Sequence, residues 1–251
     1  MSTRPRVVAV VQARTGSTRL PGKVLLDLAG RPMVERVLER VLAAPEVDAV
    51  VAAVPEGAAD EPLARCVEGV AGVGLVRGPE DDVLARYRLA ARAAGAEVVV
   101  RVTADCPLLC PEVSSRVVRR LLDGLPAADY AANTLERTYP RGLDTEAFTA
   151  AALERAAREA TRSSDREHVT PFLWRQPEVF RLLSVRDATD RSDLRWTVDT
   201  EEDLELVRRI WSALLPRHGP LFGYREILEL LAAEPSWPEI NRAVPQRELP
   251  P

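Results

Sequence analysis

The feature that most constrains this chain is an apolar strand pattern near its start that runs directly into a small, cationic loop. Val7 to Val11 is apolar and mostly β-branched, which is typical of a strand buried on both faces. It is followed by Gln12-Ala13-Arg14-Thr15-Gly16-Ser17-Thr18-Arg19-Leu20-Pro21-Gly22-Lys23. Small residues let a backbone approach a ligand closely, and hydroxyls, N–H groups and cations suit anionic oxygens. The segment predicts a polyphosphate-binding loop, with a solvated surface loop as the plain alternative.

This loop is neither of two well-known phosphate-binding loops. A Walker A loop has four residues before its Gly-Lys and a hydroxyl residue after it, whereas here five residues separate Gly16 from Gly22 and Val24 follows Lys23. No G-x-G-x-x-G follows the strand, so the dinucleotide fingerprint is absent as well.

Alternating strand and helix patterns continue through the first half of the chain. Buried strands are predicted at 48–54, 74–77, 97–103 and 129–133, and helices at 33–42, 63–67, 82–94, 111–122, 149–160, 200–215 and 224–232. This order predicts an α/β fold with a doubly wound, mostly parallel sheet that binds ligands at the carboxyl ends of its strands. The alternation breaks after residue 133, so residues 138–197 are interpreted as a small lid or β-extension over the substrate, followed by C-terminal helices and a Pro-rich surface tail at 198–251.

Length and charge narrow the class of protein. A chain of 251 residues is expected to form one domain, and its net charge of −4 argues against a broad nucleic-acid surface. No stretch has the length and apolarity of a membrane span, and the start has no apolar signal core. The three cysteines, Cys66, Cys106 and Cys110, lack a C-x-x-C pair and are interpreted as reduced thiols of a cytoplasmic protein.

The loop sequence Gln-Ala-Arg-Thr-Gly-Ser-Thr-Arg-Leu-Pro-Gly-Lys-Val-Leu resembles the signature of the sugar cytidylyltransferases. These are relatives of the CMP-sialate and CMP-Kdo synthetases, and the spore coat polysaccharide biosynthesis protein F branch is the most similar. The resemblance implies a nucleotide-diphospho-sugar transferase fold, a GT-A-like Rossmann-type fold, with a loop that wraps the triphosphate of CTP. It implies nucleotide-binding roles for Gln12, Ala13, Arg14, Gly16, Ser17, Arg19, Gly22, Lys23 and Thr103, of which Arg14 and Lys23 are also expected to be catalytic.

Two carboxylates are predicted at the ends of strands. Asp105 follows the apolar run 98–103, and Asp199 lies between Trp196-Thr197-Val198 and the helix predicted from Thr200. A carboxylate in that position can hold a hard cation against phosphates, but each residue could equally be a turn or helix-capping residue. Their segments, Arg-Val-Thr-Ala-Asp-Cys-Pro-Leu and Val-Asp-Thr-Glu-Glu-Asp-Leu, resemble two further segments of the family. The resemblance implies that both carboxylates are catalytic and bind Mg²⁺, although Ala104 stands where the branch usually has glycine.

Residues between these carboxylates are candidates for binding the sugar acceptor. Asp144 and Glu146 are two apart on an extended segment, so both are expected to point the same way, although solvated loop acids are the simpler interpretation. A Gly-Leu-Asp-x-Glu and an Arg-Glu-His-Val-Thr segment resemble those of the family. They imply that the acceptor is bound by Arg141, Asp144, Glu146, Arg166, Glu167 and His168. His168 could also titrate near neutral pH, or be purely structural.

The sequence therefore predicts a nucleotidyltransferase that transfers CMP from CTP to a sugar or sugar acid and releases pyrophosphate. Two other classes stay open, a glycosyltransferase that uses a nucleotide sugar on the same fold and a nucleotide-binding module without chemistry. CTP and a small acceptor are the expected partners, with no nucleic acid and no membrane insertion, and a homodimer is compatible with the sequence.

Overall fold

A parallel four-stranded core forms the first half of the molecule. The computed structural model describes residues 4–246. The core strands are β1 (Val7–Gln12), β2 (Ala49–Pro55), β3 (Val73–Gly78) and β4 (Val98–Thr103), in the spatial order β3-β2-β1-β4. Helices α1 (Met33–Leu42), α2 (Glu61–Glu68) and α3 (Val83–Ala93) connect them. The predicted alternation is confirmed, with boundaries that shift by one or two residues.

Strand β1 is buried on both faces, as its apolar run predicts. Val7, Ala9 and Val11 pack into one hydrophobic cluster, and Val8 and Val10 pack into another on the opposite face of the sheet. Because neighbouring strands cover both edges and helices cover both faces, only the carboxyl end of β1 is open to a ligand.

The second half of the chain extends the same sheet. Helix α4 (Pro111–Leu122) leads to β5 (Tyr130–Ala132) and β6 (Glu146–Thr149). Three helices follow, α5 (Ala150–Glu159), α6 (Ser163–His168) and α7 (Pro171–Trp174), and then β7 (Leu182–Ser184). The full order is β3-β2-β1-β4-β6-β5-β7, in which β6 is antiparallel to β4 and β5.

The segment predicted as a lid or β-extension therefore contributes strands to the main sheet. Strand β6 lies directly beside β4, so this part of residues 138–197 is built into the sheet as an extension. Residues 146–149 are expected to continue the acceptor segment, and α6 and α7 have no counterpart among the predicted helices. All three are only four to six residues long, which is too short for a clear periodic pattern.

Two C-terminal helices, α8 (Glu201–His218) and α9 (Tyr224–Ala233), complete the fold. Thr200 caps α8 and forms a reciprocal capping box with Asp203, so the N-terminal boundary is as predicted, but α8 continues past Leu215. The tail predicted to lie over the surface is partly buried. Trp237 and Ile240 pack against the core, and Asn241 is 3% exposed. None of the helices within residues 4–246 is long and apolar enough to cross a membrane.

A close backbone contact joins the acceptor segment to the segment before Asp199. Arg141 and Arg195 form an isolated parallel bridge, and the amide of Trp196 donates to the carbonyl of Arg141 at 2.6 Å. Gly142 has a φ of +103°, and a Cβ there would lie 2.5 Å from the carbonyl carbon of Trp196. Glycine is required here on two grounds, its backbone conformation and the lack of space.

We expect Gly142→Ala to lower the free energy of unfolding by about 3 kcal/mol or more, because it adds a steric overlap to an unfavourable φ. Gly95→Ala is the matched control, since Gly95 also has a positive φ but no atom within 4 Å of a built Cβ. The control should cost only about 1–2 kcal/mol. Urea unfolding of both variants measures the difference, and equal losses would contradict the requirement for a close approach.

Candidate active site

One cavity of about 1040 Å³ opens at the carboxyl ends of β1 and β4. Two of the predicted site residues, Gly22 and Arg166, are not among its lining residues. The others line it together: Gln12, Ala13, Arg14, Gly16, Ser17, Arg19, Lys23, Thr103, Asp105, Arg141, Asp144, Glu146, Glu167, His168 and Asp199. The structure thus brings segments more than 180 residues apart to one place.

The cationic loop is held in shape by a carboxylate that the sequence analysis does not single out. Asp60, 3% exposed, accepts hydrogen bonds through Oδ1 from the amide of Thr15 at 2.6 Å and from the Thr15 hydroxyl at 2.9 Å. The carbonyl of Thr15 in turn accepts from the amides of Ser17 and Gly22. Gly22 adopts a φ of +66° and precedes a short 3-10 helix that begins at Lys23. Gly22 therefore shapes the loop without lining the cavity.

Lys23 is the central residue of the site. Its Nζ donates to Asp105 Oδ2 at 3.0 Å, to Asp199 Oδ1 at 2.8 Å and to the carbonyl of Val198 at 2.7 Å. The side chain is only 10% exposed. Burial alone would lower the pKa of Lys23, but the two carboxylates outweigh it and raise the pKa, so the ammonium stays charged.

Each of the two carboxylates has its second oxygen fixed by the protein. Asp105 Oδ1 accepts from the hydroxyl of Thr103 at 2.5 Å. Asp199 Oδ2 accepts from Arg195 at 2.7 Å and lies 2.9 Å from the guanidinium of Arg19. The remaining oxygens, Asp105 Oδ2 and Asp199 Oδ1, both face the Lys23 ammonium. Burial would raise the pKa of Asp105, but Lys23 and Thr103 lower it to about 2, so this group is an anion at neutral pH.

Backbone contacts bring the two carboxylates together. The carbonyl of Asp105 accepts hydrogen bonds from the amide of Val198 at 2.8 Å and from the hydroxyl of Thr197 at 3.1 Å. The segment before Asp199 forms only an isolated bridge at Arg195 and no strand, so the prediction that Asp199 ends a strand is wrong, although it does precede a helix.

The donor set fits a hard divalent cation. Within residues 4–246 no three His, Cys, Asp or Glu side chains form a metal-binding group, and the acidic oxygens that face one another across Lys23 are those of Asp105 and Asp199. Two carboxylates with room for water and phosphate oxygens suit Mg²⁺, which keeps several such ligands. A cation held by both facing oxygens would have to replace the Lys23 ammonium between them.

Glu146 does not face the cavity as a free acceptor ligand. It is 6% exposed, forms an ion pair with Arg101 and accepts from the Tyr130 hydroxyl at 2.6 Å. Asp144 is bound through both oxygens by Arg137, at 2.6 and 2.8 Å. The two acids therefore both have arginine partners on the cavity wall, and acceptor binding by Asp144 and Glu146 stays a prediction.

Arg166 also has a different role from the one expected. It forms an ion pair with Asp82, which caps α3, and donates to the carbonyls of Ala157 and Ala160. Its guanidinium thus connects α3 to the end of α5, outside the cavity lining. The prediction that Arg166 binds the acceptor is therefore not supported.

Two cations of the lining are loosely held or unpaired. The guanidinium of Arg14 is about half exposed and lies 3.9 Å from Glu167. Arg141 has no side-chain hydrogen bond or ion pair among residues 4–246, and its pKa is lowered by burial and by the nearby charges of Arg137 and Arg195. An anion at Arg141 would relieve this repulsion. Burial and neighbouring arginines also lower the pKa of His168, so its ring is mainly neutral at pH 7.

The sequence analysis misses several residues of the lining. Among them are Arg101, Arg137, Trp174, Thr197 and Gln246. Arg101 gives a recognisable signal, since it is a lone charge inside the apolar strand β4. Gln246 gives none, because nothing in the C-terminal sequence indicates that it returns to the site.

The sequence model of the cytidylyltransferase family matches residues 8–229. The chain belongs to the cytidylyltransferase family. It is similar to the structure of a cytidylyltransferase from Leptospira borgpetersenii, with a TM-score of 0.88 and 30% identity, covering 97% of this chain and 100% of that one. The match favours nucleotidyl transfer over the glycosyltransferase and binding-module alternatives.

Two curated relatives extend this picture. The spore coat polysaccharide biosynthesis protein SpsF of Bacillus subtilis is 29% identical over 237 residues, which is 91% of this chain and 95% of the relative. A 3-deoxy-manno-octulosonate cytidylyltransferase of Anaeromyxobacter is 37% identical over 138 residues, about half of each chain. The cytidylyltransferase motifs described above, from Gln12 to Asp199, all lie inside the range of the family match.

Proposed function

We propose that this cytidylyltransferase transfers CMP from CTP to a hydroxyl of a sugar or sugar acid and releases pyrophosphate. The observation that carries the proposal is the Lys23, Asp105 and Asp199 cluster, placed where the cationic loop meets the carboxyl end of β4. Relatives named for Kdo activation and for spore coat polysaccharide biosynthesis support a sugar acceptor. The three free thiols fit a reducing compartment, and we propose the cytoplasm.

The loop residues would bind the triphosphate. Arg14 and Arg19 reach the cavity as planar cations, while Gly16 and Ser17 let the backbone approach phosphate oxygens. Enzymes catalyse such transfers mostly by positioning the substrates and neutralising charge, so little covalent chemistry is needed from the residues of the site. An attacking hydroxyl has to lie in line with the α-phosphorus, on the side opposite the pyrophosphate.

Asp105 and Asp199 would hold Mg²⁺ through the two oxygens that face Lys23. When bound, the metal neutralises charge on the phosphate oxygens and lowers the pKa of an attacking hydroxyl. Lys23 would then move its ammonium from the carboxylates to the triphosphate. It is the only lysine in the 251-residue sequence, which otherwise uses arginine for its basic side chains. A compact ammonium can donate to three acceptors in a small space, whereas a planar guanidinium cannot.

The acceptor would bind at the far side of the cavity, next to Arg141, Asp144 and His168. Arg137 holds Asp144 in a fixed orientation, so its carboxylate can accept bonds from sugar hydroxyls. Arg141 would bind the anionic group of a sugar acid, because it has no other partner among the described residues. His168, mainly neutral, could exchange one hydrogen bond with the acceptor.

A pyrophosphate-release assay with each of the four nucleoside triphosphates tests the proposed reaction. We expect release with CTP in the presence of Mg²⁺ and of an acceptor from a panel of acidic and neutral sugars, and loss of release when EDTA removes the metal. Pyrophosphate that forms equally well in EDTA would remove the metal role. Tight binding of a nucleotide sugar without release from any triphosphate would instead identify a glycosyltransferase.

Lys23→Met should have opposite effects on the two ligands. CTP affinity should fall roughly 10- to 150-fold, the range of one charge-assisted contact. In the absence of nucleotide, Mn²⁺ should bind more tightly, on the order of 10-fold, because no ammonium has to leave the carboxylates. Calorimetry and electron paramagnetic resonance measure the two affinities.

The exposed Arg31→Met is the matched control and should change neither affinity. The amine resonance of ¹⁵N-labelled Lys23, the only lysine signal, should shift when CTP and Mg²⁺ bind to the wild type. Weaker Mn²⁺ binding in Lys23→Met would contradict the exchange of cations.

Arg141→Gln should raise the Michaelis constant for an acidic acceptor by about 10-fold or more and leave that for CTP nearly unchanged, because only the acceptor loses a charged partner. Arg186→Gln, which removes an exposed arginine paired with Glu136, is the control and should behave as the wild type. Steady-state kinetics with each substrate varied separately measures the effect. A loss confined to CTP would place Arg141 at the nucleotide instead.

A further inference from the structure

A buried polar network connects the C-terminal segment to the carboxylate of Asp199. Its centre is Arg195, whose side chain is 7% exposed. Nε donates to Asp203 Oδ1 at 2.9 Å, and Nη2 donates to Asp203 Oδ2 at 3.1 Å and to Asp199 Oδ2 at 2.7 Å. Nη1 donates to the side-chain oxygen of Gln246. The guanidinium therefore has partners on every side.

Asp203 anchors this network on helix α8. It is fully buried, and its Oδ2 also accepts from the amides of Asp199 at 2.9 Å and of Thr200 at 3.2 Å. The backbone of Asp199 is thus held by Asp203, and its side chain is held by Arg195 together with Arg19. The side chain of Asp199 has one oxygen fixed, and the other is directed at the cation position occupied by Lys23.

Asn241 ties the network to the C-terminal segment. Its side-chain amide donates to the carbonyl of Arg195 at 2.9 Å and to Asp203 Oδ1 at 2.8 Å. Trp237 and Ile240 pack the same segment against the core, and this packing fixes the position of Asn241. Gln246 extends the contact to the wall of the active-site cavity.

We propose that Arg195 and the C-terminal segment 237–246 position Asp199 for metal binding, with Asn241 and Gln246 as positioning residues. The proposal rests on the proposed function in one respect, the assignment of Asp199 as a metal ligand. Because Arg195 fixes Oδ2, Oδ1 is the oxygen of Asp199 that would be available to hold a metal, in an orientation set by the protein before substrates bind. Substitution of groups that orient metal ligands typically costs about 10- to 100-fold in metal affinity or activity.

Two substitutions separate positioning from charge and from stability. Arg195→Lys keeps the positive charge but loses the planar fork that contacts Asp199, Asp203 and Gln246 at once. Asn241→Ala removes the two hydrogen bonds from the C-terminal segment and leaves the lining of the main cavity intact. Arg242→Ala is the matched control, since Arg242 is the next residue and, among residues 4–246, forms its ion pair with Glu239 on the surface.

Mn²⁺ binding to the nucleotide-free protein, followed by electron paramagnetic resonance, provides a measurement that does not depend on turnover. We expect the dissociation constant to rise about 10- to 100-fold for Arg195→Lys and by a smaller factor for Asn241→Ala, with no change for Arg242→Ala. The Mg²⁺ concentration for half-maximal pyrophosphate release should rise in parallel, while the Michaelis constant for CTP at saturating metal stays the same.

A purely structural network would lower the melting temperature of both variants without changing Mn²⁺ affinity, and that result would overturn the proposal. Wild-type protein that binds no Mn²⁺ would overturn it as well. Absence of pyrophosphate release from CTP by a wild-type protein that binds Mn²⁺ would instead count against the proposed reaction, and the comparison of Mn²⁺ affinities would still decide the positioning role.

Discussion

The active site depends on one ammonium group held between two carboxylates. Asp105 follows a central strand and Asp199 precedes a C-terminal helix, so the two are far apart in sequence. The fold brings them together, and hydrogen bonds from residues 197 and 198 to the Asp105 carbonyl hold them side by side. Two half-buried anions on either side of one point repel each other unless a cation lies between them. Lys23 supplies that cation. The loop, the strand end and the helix start are thereby fixed relative to one another.

The same arrangement explains how the site can be stable on its own and still be able to bind ligands. A buried ion pair stabilises a fold only when every charge keeps a partner, and here each carboxylate has one oxygen bound by Thr103 or Arg195 and one directed at Lys23. In the proposed reaction, a metal between the carboxylates would keep their charges compensated, and the Lys23 ammonium would find a new anion in a triphosphate at the loop. Such an exchange of partners would need no large rearrangement.

Much of this could be predicted from the sequence, because strand ends and loop composition are local signals. The β1 loop, Asp105 and the start of α8 are where the patterns indicate. Glu146 is different, since its burial follows from the register that pairs it with Arg101 across β4 and β6, and sequence spacing does not reveal which residues of distant strands face each other. The contact between Arg166 and Asp82 is hidden for a similar reason, because the two residues are 84 apart in sequence and only helix packing brings them together.

The arginines that lack a firm acidic partner lie in different parts of the cavity, and the net charge of the sequence does not reveal this. The net charge of the chain is −4, yet several arginines of the cavity are compensated by an internal acid, such as Arg101 by Glu146 and Arg137 by Asp144. Arg14 and Arg141 differ, since the first is only loosely paired and the second has no partner among residues 4–246. Arg14 lies in the cationic loop, and Arg141 lies in the segment after Tyr139. Anionic groups of two substrates would therefore be drawn to different parts of the cavity, with the carboxylates of Asp105 and Asp199 as the third fixed element. Such a charge pattern favours the simultaneous binding of two different substrates over the binding of one substrate at both positions. Simultaneous binding is the condition for an in-line transfer between them.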